Sequence, residues 1–154
     1  AGQLASDVVS QWRKARYQLH RLRKGIIHND FHDNNILVKK NKCVGIVDFG
    51  DAMYSWYAAD VAIALTHLCF HSRAHVIPLS RAFLQGYFSV FSLTATEKIY
   101  LPFLIQLRAA LVVIECVFIR RTSAFERRIF AGAVFTMRYF RDQKKLGTFA
   151  KLLK

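Results

Sequence analysis

Residues 25–51 read GIIHNDFHDNNILVKKNKCVGIVDFGD, and the fold of the whole chain turns on how they are read. His28, Asp30 and Asn35 stand in the spacing H-x-D-x-x-x-x-N, and an Asp-Phe-Gly triplet begins at Asp48, thirteen residues after Asn35. Ile26 and Ile27 lead in as a short buried strand. Asn29 to Asn35 is rich in Asp and Asn, which favour turns and bind nearby backbone groups. Ile36–Val38 and Val44–Val47 are apolar runs joined by the polar turn Lys39–Lys42, the signature of a hairpin. That hairpin returns Asp48 to the side of Asn35.

The residue types in this arrangement suit phosphoryl transfer. A hydroxyl nucleophile must be held in line with a γ-phosphate and relieved of its proton, which a carboxylate on a rigid loop such as Asp30 can do. Asn35 and Asp48 supply hard oxygen ligands of the kind Mg²⁺ prefers, leaving its other positions to phosphates and water. His28 is read as a hydrogen-bonding brace of the loop. Taken singly, Asp and Asn in loops are commonly turn formers, and Asp-Phe-Gly alone is a weak triplet; the joint spacing is what carries the reading.

Outward from this stretch, Leu4–Arg23 has apolar residues at helical spacing and ends in basic residues, with Gly25 as the expected stop. Asp51–Tyr57 reads as irregular. Ala58–His71 reads as a buried helix, Pro78 as part of a connection, and Leu79–Phe88 as a further helix. Thr94 with Glu97 three residues on is a capping box. Pro102 lies beyond the first turn of the helix it opens, so a break near Tyr100 is expected before a second apolar helix, Ile105–Arg120. Glu126–Arg141 and Leu146–Lys154 read as amphipathic tails. The expected fold class is α+β and mainly helical, with one small catalytic β-hairpin.

With 154 residues and 53% hydrophobic side chains, 13 of them Phe, the chain supports one domain with a real core, residues 1–154. Cys43, Cys69 and Cys116 fit no disulfide framework or zinc spacing, which points to a reducing, cytoplasmic setting. The first residues show no secretory pattern. The most apolar window, Ala109–Ile119, is interrupted by Glu115 and is shorter than the ~20 residues a bilayer needs, so no membrane partner is expected. The net charge of +13 is spread over several segments: Arg13, Lys14, Arg16, Arg21, Arg23 and Lys24, then Arg120, Arg121, Arg127 and Arg128, then Arg138–Lys145. That distribution favours solvated faces and a phosphate-attracting surface over a nucleic-acid partner.

HNDFHDNNILV and VGIVDFGDA resemble the catalytic and metal-binding segments of the aminoglycoside phosphotransferase and choline kinase superfamily, small-molecule relatives of protein kinases. AADVAIAL resembles that superfamily's Asp-x-Ala helix, which implies that Asp60 holds the catalytic loop by hydrogen bonds. A narrower resemblance, carried by DFGDAMYSWYAADVAIAL, GYFSVFSLTATEK and the helix around Arg108, is to the hydroxylysine kinase family. It implies a cytoplasmic enzyme that phosphorylates 5-hydroxylysine with GTP (or ATP) and Mg²⁺. Position 29 is Asn where the superfamily usually has Gly.

The resemblance also implies an N-terminal lobe with a Gly-rich loop and a strand lysine. Only one basic helix precedes His28 here, so the expectation is the C-terminal lobe of the protein-kinase-like fold, a piece of a longer kinase rather than a lobe that has lost its nucleotide cover.

A hydroxy-amino acid presents an ammonium and a carboxylate. Asp33 and Asp51 are candidates for the first and Arg108 for the second, with simple snorkelling of Arg108 left open. Glu115 is a candidate partner of Arg108. His67, His71 and His75 recur every fourth residue, but three ligands on one straight helix converge poorly on a metal. The alternatives are a kinase for choline, ethanolamine, homoserine or an aminoglycoside, and a non-catalytic binding module whose basic faces meet an acidic partner.

Overall fold

The computed structural model describes residues 1–118 and 123–154. Arg120 and Arg121, and the end of the helix expected to reach Arg120, lie outside the described residues. Among the described residues, six α-helices and two two-stranded antiparallel sheets follow in the order α1 Gly2–Leu19, β1 Lys24–Ile27, β2 Ile36–Lys39, β3 Lys42–Ile46, β4 Met53–Trp56, α2 Tyr57–His71, α3 Val76–Phe88, α4 Ala95–Phe118, α5 Ala124–Arg141 and α6 Gln143–Ala150. Single 3₁₀ turns lie at Asp33–Asn35, Phe49–Asp51 and Lys151–Leu153.

The core is helical. α4 packs on α1, α2 and α5, and α2 on α5, around Leu65, Leu101, Ile105, Met137, Phe140 and Phe149, all fully buried. α4 is long and apolar enough, by length and composition, to cross a membrane. Its buried Leu101, Leu104, Ile105, Ala109 and Val113 face the neighbouring helices, and Arg108 on the same helix reaches an acidic residue of the 25–51 stretch. One face of it packs as a core helix does. The sequence window Ala109–Ile119 is shorter than the continuous 24-residue element.

That continuity corrects the expected break. Pro102 has no N–H to offer the carbonyl four residues back, yet the helix runs through it, buried against its neighbours. The Thr94–Glu97 capping box forms in both directions, Thr94 N donating to Glu97 Oε2 at 2.7 Å and Glu97 N to Thr94 Oγ1 at 3.2 Å. A second box, Ser123 with Glu126, opens α5. Pro78 is the third residue of α3 rather than part of a connection, because the first turn has no i−4 partner for its missing N–H. α5 and α6 are packed elements, not tails: Met137, Phe140 and Phe149 complete the core.

Around the 25–51 stretch two further expectations change. α1 ends at Leu19, and Gly25 does not cap it. Gly25 lies in β1 opposite Ser55 of β4, where the Tyr57 ring covers it so closely that any Cβ would collide with the phenol. Met53–Trp56, expected to be irregular, is the strand that pairs with β1 in the register Lys24↔Trp56 to Ile27↔Met53. A tight glycine and an aromatic-rich partner carry no helix or strand period of their own, so the pairing is a tertiary result. The β2–β3 hairpin turns at Lys40 and Asn41, both at positive φ (50° and 60°), as a two-residue hairpin turn requires.

Gly132 sets the α2–α5 distance. A Cβ there would lie 2.9 Å from the Phe70 Cα, a backbone atom that cannot swing away. Alanine would gain up to about 1 kcal/mol of helix propensity, against about 1–3 kcal/mol for overpacking. Gly132→Ala is therefore expected to destabilise the protein by up to about 2 kcal/mol, read as a lower urea midpoint with the m-value unchanged.

Candidate active site

β1 delivers His28 and the residues after it to the top of the bundle, and its pairing with β4 brings the first turn of α2 to the same place. Asp60, in that first turn, accepts the backbone N–H groups of His28 at 3.2 Å and Asn29 at 2.9 Å. Those two donors have no strand or helix partner, so the carboxylate ties the loop to α2. Asn29 has φ 65°, the left-handed region that glycine enters freely and Asn tolerates better than most residues. A Gly-to-Asn exchange at this position is thus a mild one.

His28 is buried. Its Nε2 donates to the Val47 carbonyl at 2.9 Å, joining the loop to the return strand of the hairpin, and its ring packs on Phe49 at 4.7 Å between centroids. Val47 N in turn donates to the Asn35 carbonyl at 3.0 Å. The end of the loop and the approach to Asp48 are therefore side by side.

The Asn35 side chain donates from Nδ2 to the Asp30 carbonyl at 2.9 Å, which commits the amino half of the amide and leaves the carbonyl half as an acceptor. Asp48 follows at φ 64°. Among the described residues it has no ion pair or side-chain hydrogen bond to another group. One amide oxygen and one unpaired carboxylate form a hard donor set suited to a Mg²⁺-like cation that keeps water and phosphate ligands. Among the described residues no three His, Cys, Asp or Glu are placed to share a metal, so the spaced His67, His71 and His75 do not form a centre.

Asp30 is held on both oxygens. His32 Nε2 donates to Oδ2 at 3.2 Å, while His32 Nδ1 accepts the Asn34 N–H at 3.2 Å, the pattern of a neutral imidazole. Arg108 Nη2, from the middle of α4, donates to Oδ1 at 3.1 Å. About a quarter of each side chain in the Asp30–Arg108 pair remains exposed. A carboxylate held by these two donors has its orientation set.

Arg108 and Asp33 meet at an open cavity of ≈ 200 Å³, lined also by His67, His71, Glu115 and Glu126. His71 Nε2 lies 3.7 Å from Asp33 Oδ1. Asp51 sits exposed in the Phe49–Asp51 turn and does not line that cavity. His32 and His67, which no spacing in the sequence ties to Asp30, stack at 4.9 Å. The lone arginine in an apolar helix was the available signal for Arg108.

Burial pushes the His67 pKa down from 6.5 to about 4, with the positive charge of Arg108 adding to it. A depressed histidine is neutral in the folded protein while the unfolded chain takes up a proton, so stability falls as pH drops from about 6.5 toward 4. His67→Gln is expected to flatten that acid limb by up to about 3 kcal/mol, read from urea midpoints across the window.

Comparison with known proteins reaches the same region. The chain is 39% identical over 83 residues to homoserine kinase of Granulibacter bethesdensis, covering 53% of this chain and 26% of that protein. It is 36% identical over 90 residues to hydroxylysine kinase of Mus musculus, covering 53% and 24%. Against hydroxylysine kinase of Xenopus laevis it is 33% identical over 118 residues, covering 68% and 31%. The chain thus spans about a quarter to a third of the length of the curated relatives it matches.

Among solved structures, amicoumacin kinase hAmiN in complex with AMP-PNP, Ca²⁺ and Ami superposes with a TM-score of 0.64 at 21% identity, over 87% of this chain and 45% of that one. The fold is therefore α+β, mainly helical, and that of the C-terminal lobe of protein-kinase-like enzymes. The model of the phosphotransferase enzyme family, APH, matches residues 2–98, more than half the chain and all of the loop, hairpin and Asp60 helix, and the chain belongs to that family.

Proposed function

We propose that, in the intact protein, this chain carries the base and metal-holding residues of a small-molecule kinase. It would transfer the γ-phosphate of GTP or ATP to the side-chain hydroxyl of a hydroxy-α-amino acid, with 5-hydroxylysine the first candidate and homoserine the second. The carrying observation is Asp30, oriented on both oxygens beside a cavity that holds Arg108 and the carboxylates Asp33, Glu115 and Glu126. An α-amino acid brings a carboxylate for the arginine and an ammonium for the acids. Hydroxylysine and homoserine, the acceptors in the names of the relatives, share that head group. Choline and ethanolamine have no carboxylate and leave Arg108 without a counterpart.

In this reading the acceptor hydroxyl donates to Asp30. As its oxygen bonds to the γ-phosphorus, the O–H proton passes to the Asp30 carboxylate, the bond from phosphorus to the β,γ-bridging oxygen breaks, and the nucleoside diphosphate leaves. Asn35 and Asp48 would hold Mg²⁺, which when bound supplies charge neutralisation on the phosphates. Asp60 and His28 keep the loop in register. The use of GTP rests on the family resemblance alone.

The test is a panel of hydroxylysine, homoserine, choline, ethanolamine and an aminoglycoside with labelled GTP and ATP, using the intact protein. Phosphorylation of a hydroxy-amino acid is expected. Turnover of choline alone would overturn the acceptor class, and turnover of none would overturn the kinase reading.

A further inference from the structure

Arg108 stands between the base and the cavity. One guanidinium N–H, on Nη2, reaches Asp30 Oδ1 at 3.1 Å, while Nε is buried with no partner. The same side chain lines the ≈ 200 Å³ cavity. A guanidinium has five N–H donors in a planar fork, so a single contact to Asp30 leaves most of it uncommitted. Because His32 already donates to Oδ2, Arg108 on Oδ1 means that each oxygen of the base has a donor before any acceptor arrives.

We propose that Arg108 is a specificity-determining positioning residue that makes the base responsive to the acceptor's carboxylate. An acceptor carboxylate in the cavity takes the guanidinium as a forked pair and draws it off Asp30 Oδ1, and that oxygen then accepts the acceptor's hydroxyl. A forked guanidinium–carboxylate pair is stronger than the single N–H contact it replaces, which gives the exchange its direction. An alcohol of the same length without a carboxylate leaves Arg108 on the base and is turned over slowly even when it fits.

The wall of the cavity sharpens the choice. Asp33 lines the same surface as Arg108 and offers a carboxylate to an acceptor's ammonium, which a simple hydroxy acid lacks. Neutral His67, stacked on His32, adds an uncharged side to the same space. The acceptor class that satisfies both ends is an amino acid with a free α-carboxylate and α-ammonium. This rests on the kinase reading above and adds to it a coupling between acceptor recognition and the base.

The experiment compares, in the intact protein, whichever of hydroxylysine or homoserine it phosphorylates with the decarboxylated amino alcohol of the same chain. In Arg108→Met the preference for the carboxylated acceptor is expected to fall at least about ten-fold, the size of one lost charged hydrogen bond. The carboxylated acceptor's KM should rise, and kcat for the amino alcohol should rise above the parent's. Arg108→Lys, which keeps a charge but no fork, should retain part of the preference.

A purely structural role would lower kcat for both acceptors in proportion, and that result overturns the inference. A second arm needs no variant. Formate added to the parent with the amino alcohol should raise its turnover several-fold, whereas chloride at equal ionic strength should not; equal effects of the two salts also overturn it. Phosphorylation of no acceptor by the parent would instead sink the kinase reading itself.

Discussion

Asp30→Asn is expected to lower kcat of the intact protein by about 10²–10⁴-fold while leaving KM for the acceptor within a few-fold, measured with the acceptor the panel identifies. The carboxamide keeps the volume of the side chain and one oxygen, so the substitution tests proton acceptance more than shape. It also changes which groups can face the residue. Arg108 Nη2 and His32 Nε2 both donate to Asp30, and an amide offers only one acceptor atom to those two donors. One of them is left without a partner, a modest stability cost of about 1–2 kcal/mol at a site where roughly a quarter of both Asp30 and Arg108 still meets solvent. Thermal unfolding of the variant separates that cost from the rate effect. A variant that stays folded and retains more than a tenth of the parent's kcat would remove Asp30 from the role of base.

Much of this site is legible in the linear sequence, and the legible part is local. The H-x-D-x-x-x-x-N spacing, the hairpin and Asp-Phe-Gly lie within one short stretch, where turn chemistry and strand alternation determine which backbone groups meet. Thr94 and Glu97 are readable for the same reason, since a capping box is complete within four residues. The illegible features all depend on partners far apart. Arg108 lies 78 residues from Asp30, and an arginine in an apolar helix announces a need without naming who meets it. The β1–β4 pairing joins residues some thirty apart, and β4 has no alternation to advertise a strand. Pro102 misleads in the opposite sense: local rules predict a break, and burial of α4 on three other helices outweighs one missing hydrogen bond.

A similar contrast explains why Glu97 carries more than its capping role. Its carboxylate is fully buried and accepts from Thr94 N, from Arg23 Nη2 at 2.7 Å, from Arg23 Nε at 3.0 Å and from the Arg23 backbone N at 3.2 Å. Arg23 also donates to the Ser92 carbonyl at 2.6 Å and lies over the Phe91 ring, and its own carbonyl accepts from Tyr57 N at the foot of α2. One ion pair therefore pins three things together: the end of the α1 connection, the start of β1 and the first turn of α4. The position is upstream of the catalytic loop by only a few residues, so its loss is transmitted to His28 and Asp30 through β1.

Arg23→Met is expected to destabilise the protein by about 3 kcal/mol at neutral pH, the lower part of the range for breaking a buried pair, because Arg23 itself is 43% exposed and recovers some hydration when unfolded. The pH dependence gives the sharper signature. Burial alone would raise the Glu97 pKa, but the hydrogen bonds from Arg23 and Thr94 and the Arg23 charge together lower it. In the parent its contribution is thus present above the unfolded carboxylate value of ~4.3 and is lost as pH falls through the depressed folded value. Without Arg23, burial becomes the dominant influence and the carboxyl is raised. Stability then remains at low pH and is lost as pH rises past ~4.3. The gap between parent and variant should accordingly widen from pH 4 to pH 7 in urea unfolding, and adding Glu97→Gln to Arg23→Met should restore at least about 1 kcal/mol at pH 7 while restoring little at pH 4. A gap independent of pH would mean that packing of the arginine stem against Phe91, and not the ion pair, holds this corner.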